Sequence, residues 1–203
     1  MINKVCELYK TEKTRIHIDD FLAAQKLGYD LFYRLERTGG LQGRPLVLLC
    51  IGTDRSTGDC LGPLVGTKLA STPQETFHVY GTLEHPVHAT NLQEKLAEIY
   101  REHRDPVLVA VDASLGSLES VGYITVGDGA LRPGAGVHKC LPPVGEIHIT
   151  GIVNVGGFME FMVLQNTRLN LVMRMADLIA QGLMNAIRYC CRETALREAA
   201  GVT

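Results

Sequence analysis

The chain has 203 residues, with 20 Lys plus Arg against 22 Asp plus Glu and a formal net charge of −2, a balance that supplies no strong field for nucleic acid or anionic lipid. Its length suits one domain with a full three-layer core, and 46% hydrophobic with 21% charged residues is an ordinary globular mixture. Six cysteines form no C-x-x-C pair, so spacing spells neither a zinc site nor a thioredoxin-like motif; the polar start and the lack of any run of about 18 apolar residues point to a soluble, intracellular protein.

Residues 1–14 are mixed and charged and read as a loosely held arm or an early strand. Over Asp19–Arg37, Phe21, Leu22, Leu27, Leu31, Phe32 and Leu35 recur near helical spacing behind an Asp cap, which predicts an amphipathic helix. Gly and Pro in residues 38–45 break it. Leu46–Ile51 is a short continuous apolar run, typical of a strand buried on both faces. A glycine-bounded loop, residues 52–59, then leads into a helix ending near Ala70. Phe77–Leu83 alternates like a strand, Asn91–His103 reads as a helix, and Val107–Val111 is a second buried strand. Gly122–Val126 and Glu146–Val155 supply further strands, with some antiparallel pairing, because the first follows Asp112 too closely for a helical crossover. Phe158–Gln165 predicts a short helix. Asn166 or Thr167 caps a longer one, along which Leu169, Val172, Met173, Ala176, Ile179, Leu183 and Ile187 recur at three- and four-residue intervals. The five methionines after position 158 (Met159, Met162, Met173, Met175 and Met184) read as core filler. Strands alternating with helices predict an α/β protein, a three-layer α/β/α sandwich around a mostly parallel, mixed sheet.

Ligands of such sheets gather beyond the carboxyl ends of the strands, which singles out Asp59, closing the first glycine-rich loop, and Asp112, directly after Val107–Val111. Each has a plain structural alternative: Asp59 as a helix cap, Asp112 as a strand-end residue bonding the turn at 113–116. Brought together, two carboxylates could share a proton, one acting as base toward water and the other as acid, or could hold a divalent metal. Thr53 and Asp54 in the first loop, and Gly134 and Gly136 in the rigid segment 132–138, are the candidate substrate contacts, although Asp54 beside Arg55 also suits a solvated loop. His85 and His88 flank Pro86 at a spacing that is weak evidence for a metal site, and His148, alternating with Ile147 and Ile149, reads as a hydrogen-bonded sheet histidine. Cys60 lies where a helix start would stabilise a thiolate. No partner histidine is identifiable for it and G-x-S-x-G is absent, so the carboxylates rank first.

Several segments carry a resemblance that runs from about residue 45 to 165. They are Cys50–Pro63 (CIGTDRSTGDCLGP), Val111-Asp112-Ala113, Arg132–Val137 (RPGAGV) and Leu141–Glu160 (LPPVGEIHITGIVNVGGFME), and together they resemble the YyaC family of sporulation proteins. That family is in turn similar to the spore germination protease and, more distantly, to the hydrogenase maturation endopeptidases, all with a three-layer, phosphorylase/hydrolase-like fold. The resemblance implies an aspartate-dependent peptidase acting on spore or forespore proteins, with Asp59 before Leu61-Gly62-Pro63 and Asp112 as its dyad. It also implies a cytoplasmic location in the mother cell or forespore of a spore-forming bacterium. A protein or peptide is the expected partner and a homo-oligomer is left open. No cofactor is expected, although a divalent metal is compatible: the endopeptidases use two acidic residues and a His toward nickel, and the nearest candidates for the third ligand by chain order are His138 and His148. Thr53 stands where both families commonly show Asn, and Asp54 replaces an apolar or aromatic residue. A non-catalytic peptide- or partner-binding member of the same fold is the alternative.

Overall fold

The computed structural model describes residues 13–133 and 141–199. A six-stranded sheet runs in the order β1-β5-β6-β4-β2-β3, with β1 at Lys13–His17, β2 at Leu46–Cys50, β3 at Phe77–Tyr80, β4 at Val107–Gly116, β5 at Tyr123–Asp128 and β6 at Ile147–Val155. The strands β6, β4, β2 and β3 are parallel, while β5 pairs antiparallel with both β6 and β1. The mixed sheet expected from the sequence is therefore present, and the short 112–122 connection is what turns β5 antiparallel.

Alternation of side chains along the strands sorts the core into two layers. Leu46, Leu48 and Cys50 of β2, Val107, Val109 and Val111 of β4, and Ile147 and Ile149 of β6 pack with apolar residues of three helices, α1 (Ala23–Arg37), α2 (Leu61–Ala70) and α5 (Leu169–Ala199). On the opposite face Val47, Leu49 and Leu108 meet Leu92 and Ile99 of α3 (Leu92–Glu102), together with Val87 and Val144. The second face of β1, β5 and β6 carries Arg15, Thr125, His148 and Thr150 instead, a polar surface that the two apolar layers do not include. The six-residue α4 (Glu160–Gln165) joins β6 to α5. Among the described residues no helix is long and apolar enough to cross a membrane.

Of the two readings of residues 1–14, Lys13 and Thr14 take the early strand, as part of β1. Three expectations change in detail. The first helix starts at Ala23 instead of Asp19, because residues 18–22 turn first: Ala23 N–H bonds the Asp20 carbonyl and the Asp20 carboxylate accepts from Leu22 N–H at 2.9 Å. Phe21 is left 90% exposed, outside the apolar stripe. β3 stops at Tyr80, where Gly81 adopts φ +89° and approaches the Cys50 carbonyl so closely that a Cβ would lie 1.8 Å from its oxygen. β4 runs five residues beyond Val111, since β6 continues to pair with it from Asp112 to Gly116.

Candidate active site

The extension of β4 creates the site. Its β2 neighbour ends at Cys50, and the last contacts on that side are the pairing of Cys50 with Val111 and the bond from Ile51 N–H to the Val111 carbonyl. Beyond this point β4 is paired only with β6. The chain leaving β2 heads through α2 toward β3, whereas the chain leaving β4 heads toward β5, and such divergence opens a crevice at the carboxyl ends of adjacent parallel strands. A cleft of about 760 Å³ lies there, with Asp59 and Asp112 both in its lining. Asp112 is thus a residue within a strand at the margin of a half-unpaired stretch, not the strand-end turn residue that the apolar run alone implied.

The first loop is shaped by close backbone approaches. Gly52 has φ +142°, and a Cβ there would lie 1.9 Å from the Asp59 carbonyl oxygen. That carbonyl accepts from Thr53 N–H at 3.1 Å, closing the loop on itself. Gly62 packs its Cα against the Ile51 carbonyl, where a Cβ would come within 2.1 Å, and this fixes the start of α2 beneath the loop. From the other side Gly58 N–H bonds the Leu164 carbonyl at 2.8 Å, which ties the loop to α4.

Asp112 is 7% exposed. Burial pushes its carboxyl well above the ordinary value, the Asp59 carboxylate nearby pushes it further, and the Ala113 N–H bond at 2.8 Å opposes both. Burial also raises Asp59, but there Thr53 N–H and His88 favour the charged form. Both carboxyls are thus shifted upward, chiefly by burial; Asp112 is raised further by Asp59, whereas Thr53 and His88 favour the charged form of Asp59.

His88 enters through non-local contacts. Val87 forms a parallel bridge with Ile51 and accepts from Gly52 N–H at 2.8 Å, which carries His88 into the cleft lining with its Nδ1 bonded to Thr90 Oγ1 at 2.8 Å. Ser56, in the same lining, is 8% exposed and its Oγ is buried without a hydrogen-bond partner among the described residues. Neither residue is singled out by spacing: His88 sits in a Pro-containing loop of weak pattern, and one loop serine carries no signal.

Of the candidate substrate contacts, Thr53 lines the cleft, with its Oγ1 accepting from Arg55 N–H at 3.3 Å. Asp54 is exposed and lies outside the lining. Gly134, Gly136 and His138 lie outside the described residues. His148 is in β6, where its Nδ1 bonds the Gly129 carbonyl at 2.9 Å, and it does not line the cleft. Cys60 donates to the Thr57 carbonyl, and burial, seconded by Asp59 and Asp54, raises its thiol, so the stabilised thiolate contemplated from its helix-start position is not found. The core-filler reading also fails for two methionines. Met159 and Met162 are exposed and, with Phe158 (80% exposed) and Phe161 (60% exposed), form an apolar ridge, of which Phe161 reaches the cleft.

Asp59 and Asp112 offer carboxylate oxygens, but among the described residues no three His, Cys, Asp or Glu side chains are grouped to hold an ion.

Fold and cleft together define an α/β/α protein with two carboxyls, Asp112 buried and Asp59 half-buried, at the open carboxyl ends of its central strands. The chain belongs to the family described as protein of unknown function (DUF1256), which it matches over residues 15–182. It is 62% identical over 141 residues to the uncharacterized protein YyaC of Bacillus subtilis (strain 168), a match spanning 70% of this chain and 69% of that protein. Among crystal structures, the NiFe hydrogenase maturation protease HycI from Thermococcus kodakarensis KOD1 aligns with a TM-score of 0.44 at 18% identity, over 73% of this chain and 99% of that one.

Proposed function

We propose that the protein is an aspartate-dependent peptidase. The observation that carries this reading is the pair Asp59 and Asp112, two carboxyls in one cleft, with no cationic side chain bonded to either among the described residues and with surroundings that treat them unequally. Asp59, as carboxylate, takes a proton from a water molecule, whose oxygen attacks the peptide carbonyl carbon. Asp112, as neutral acid, donates its proton to the carbonyl oxygen as the tetrahedral species forms. Collapse of that species breaks the C–N bond as the proton held by Asp59 passes to the departing amine and one hydroxyl proton of the tetrahedral carbon returns to Asp112, leaving both acids as they began. Thr53 and Ser56, both in the cleft lining, supply hydroxyls for the substrate backbone. No metal is assigned to any step.

The natural substrate in this reading is a spore or forespore protein, and the site of action is the cytoplasm of a spore-forming bacterium; the motifs shared with the YyaC family support both. A second reading, a peptide- or partner-binding protein without turnover, draws on the exposed ridge of Phe158, Met159, Phe161 and Met162 beside the cleft.

The test is mass-spectrometric detection of peptides after purified protein is incubated with small acid-soluble spore proteins, with and without chelator. Wild type yields products in both arms, and Asp59→Asn and Asp112→Asn each lower the rate by about 10²–10⁴-fold, the usual loss of a general acid or base. No products from wild type in either arm, with stable complex formation, transfers the assignment to the binding reading. Loss of products to chelator alone rejects the metal-free mechanism.

A further inference from the structure

Beside the cleft lies a second groove, of about 490 Å³, on the polar face of β1, β5 and β6. The two share Leu131, Arg132 and Thr150, so they are continuous. The sheet register makes the geometry explicit. Asp112 of β4 pairs with Thr150 of β6, Thr150 with Thr125 of β5, and Thr125 with Arg15 of β1. One cross-strand row therefore runs Asp112, Thr150, Thr125, Arg15, all on the same face. The adjacent row brings His148 opposite Gly127, and Gly127 opposite Lys13; the missing side chain at Gly127 leaves the space that the His148 ring occupies.

The groove has a definite charge character. Lys13, Arg15, Arg132 and His148 line it together with the hydroxyls of Ser120, Thr125 and Thr150, and no Asp or Glu is among the described lining residues. Arg15 is held in place without using a carboxylate: its guanidinium donates to Ser120 Oγ at 3.0 Å and stacks 4.6 Å from the Tyr123 ring centroid. No carboxylate is bonded to Arg132 among the described residues. By contrast, Arg34, Arg37, Arg44, Arg174 and Arg197 all pair with acids elsewhere. In a protein of net charge −2, a groove lined by basic groups and hydroxyls and opening onto two acids is locally inverted.

We propose that this groove is a subsite for an acidic side chain of a peptide lying across the cleft, with Arg15 and Arg132 as its carboxylate-binding residues. The occupant is taken from the peptidase reading, on which the proposal rests. Three strand spacings separate Asp112 from Arg15, about 14 Å, and an extended peptide advances about 3.3 Å per residue. Allowing for the reach of both side chains, the acidic residue lies about two to four positions from the bond held at Asp59 and Asp112. Thr150 and Thr125 present hydroxyls along the way, and the planar guanidinium of Arg15 matches a carboxylate in bidentate fashion.

The test separates binding from cleavage by using the full chain carrying Asp112→Asn. Fluorescein-labelled decapeptides of alternating Ala and Glu, Ala and Gln, or Ala and Lys are titrated by anisotropy, beside a labelled oligothymidylate of matched charge. The Glu peptide is expected to bind about tenfold or more tightly than the Gln peptide, with a preference that shrinks as salt rises. Arg15→Gln combined with Arg132→Gln removes the preference, Arg15→Lys keeps part of it, and Arg168→Gln, outside the groove lining, leaves it intact; thermal melting confirms that each variant folds. Equal affinity for the Glu and Gln peptides, tighter binding of the Lys peptide, a preference that survives the double substitution, or no binding by any peptide overturns the subsite. Tighter binding of the oligothymidylate overturns the peptide as occupant. Selective binding with no cleavage by wild type sinks the peptidase and leaves the subsite standing, whereas cleavage indifferent to acidic residues sinks the subsite alone.

Discussion

Two buried acids in this protein, Asp30 and Asp112, are treated in opposite ways. On the helical side of the sheet Asp30 and Arg34 of α1, each 1% exposed, are bonded at 2.8 Å, and Arg34 also meets Asp128 at the end of β5 at 2.8 Å. Arg37 adds a second ion pair to Asp128, and Thr14 Oγ1 donates to Asp30 at 2.8 Å. Burial works against the Asp128 charge, yet the two arginines outweigh it and hold its carboxyl below the ordinary value. At the cleft, Asp112, 7% exposed, has one backbone N–H and another acid for company. The difference teaches which burial is structural. Acids given counterions lock α1 to the sheet, and acids denied them have their carboxyls shifted upward by burial.

Removing one partner on each side should widen that contrast. Arg34→Met leaves Asp30 buried beside an uncharged side chain and is expected to lower stability by about 3–5 kcal/mol in urea unfolding. Asp112→Asn replaces a carboxyl whose ionisation is disfavoured by burial with an isosteric neutral amide and is expected to shift stability by less than about 1 kcal/mol. Comparable losses from both would erase the distinction.

The next effect is smaller and depends on pH. Because the folded pKa of Asp112 lies above its unfolded value, the folded protein holds a proton that the unfolded chain has released. The associated stability is complete below the ordinary carboxyl value and is lost as pH rises through the folded pKa, with a slope of up to about 1.4 kcal/mol per pH unit for one proton. Asp59 is shifted in the same direction. Asp128, shifted down, works oppositely: its contribution is present above the ordinary value and disappears as pH falls through the folded one. Urea midpoints measured across pH should decline on the alkaline side for wild type and decline less for Asp112→Asn, while the acid-side loss stays the same in both. An unchanged alkaline decline in the variant would show that Asp112 is not the group holding the proton.

The sheet and its helices were legible because burial imposes a period: Leu46–Cys50 and Val107–Val111 are continuous apolar runs, and α5 repeats every three or four residues. What was not legible depends on partners distant in sequence. The tail of β4 is polar and glycine-containing, and it is a strand because β6 lies beside it. Asp59 and Asp112 could be picked out by their positions after apolar runs, but His88 reaches the cleft through the bridge between Ile51 and Val87. Met159 and Met162 obeyed a residue-type expectation that local geometry overruled, since Met159 takes φ +47° at the start of a short exposed helix. The acid-free groove was invisible for the same reason as β4's tail: Arg15, Thr125 and Thr150 come from three strands and meet only through register.

Smallest of all should be the stability change at Ser56, where the contrast between bonded and unbonded groups reappears within the hydroxyls. Thr167 is as buried as Ser56, but its Oγ1 donates to the Val163 carbonyl at 2.9 Å and receives Asn154 Nδ2 at 3.2 Å. Deleting that hydroxyl in Thr167→Val removes both hydrogen bonds, leaving Asn154 Nδ2 with the Val163 carbonyl at 3.3 Å, and is expected to cost about 1–2 kcal/mol. Ser56 Oγ has no partner to strand, so Ser56→Ala should leave stability unchanged or raise it by up to about 1 kcal/mol. In the peptidase reading Ser56 Oγ, which lines the cleft without a partner among the described residues, bonds an arriving substrate. The same variant should therefore weaken kcat/KM for a cleaved peptide by about tenfold, the worth of one hydrogen bond to a substrate. A loss of stability without a change in kcat/KM would make Ser56 a packing residue and remove it from the site.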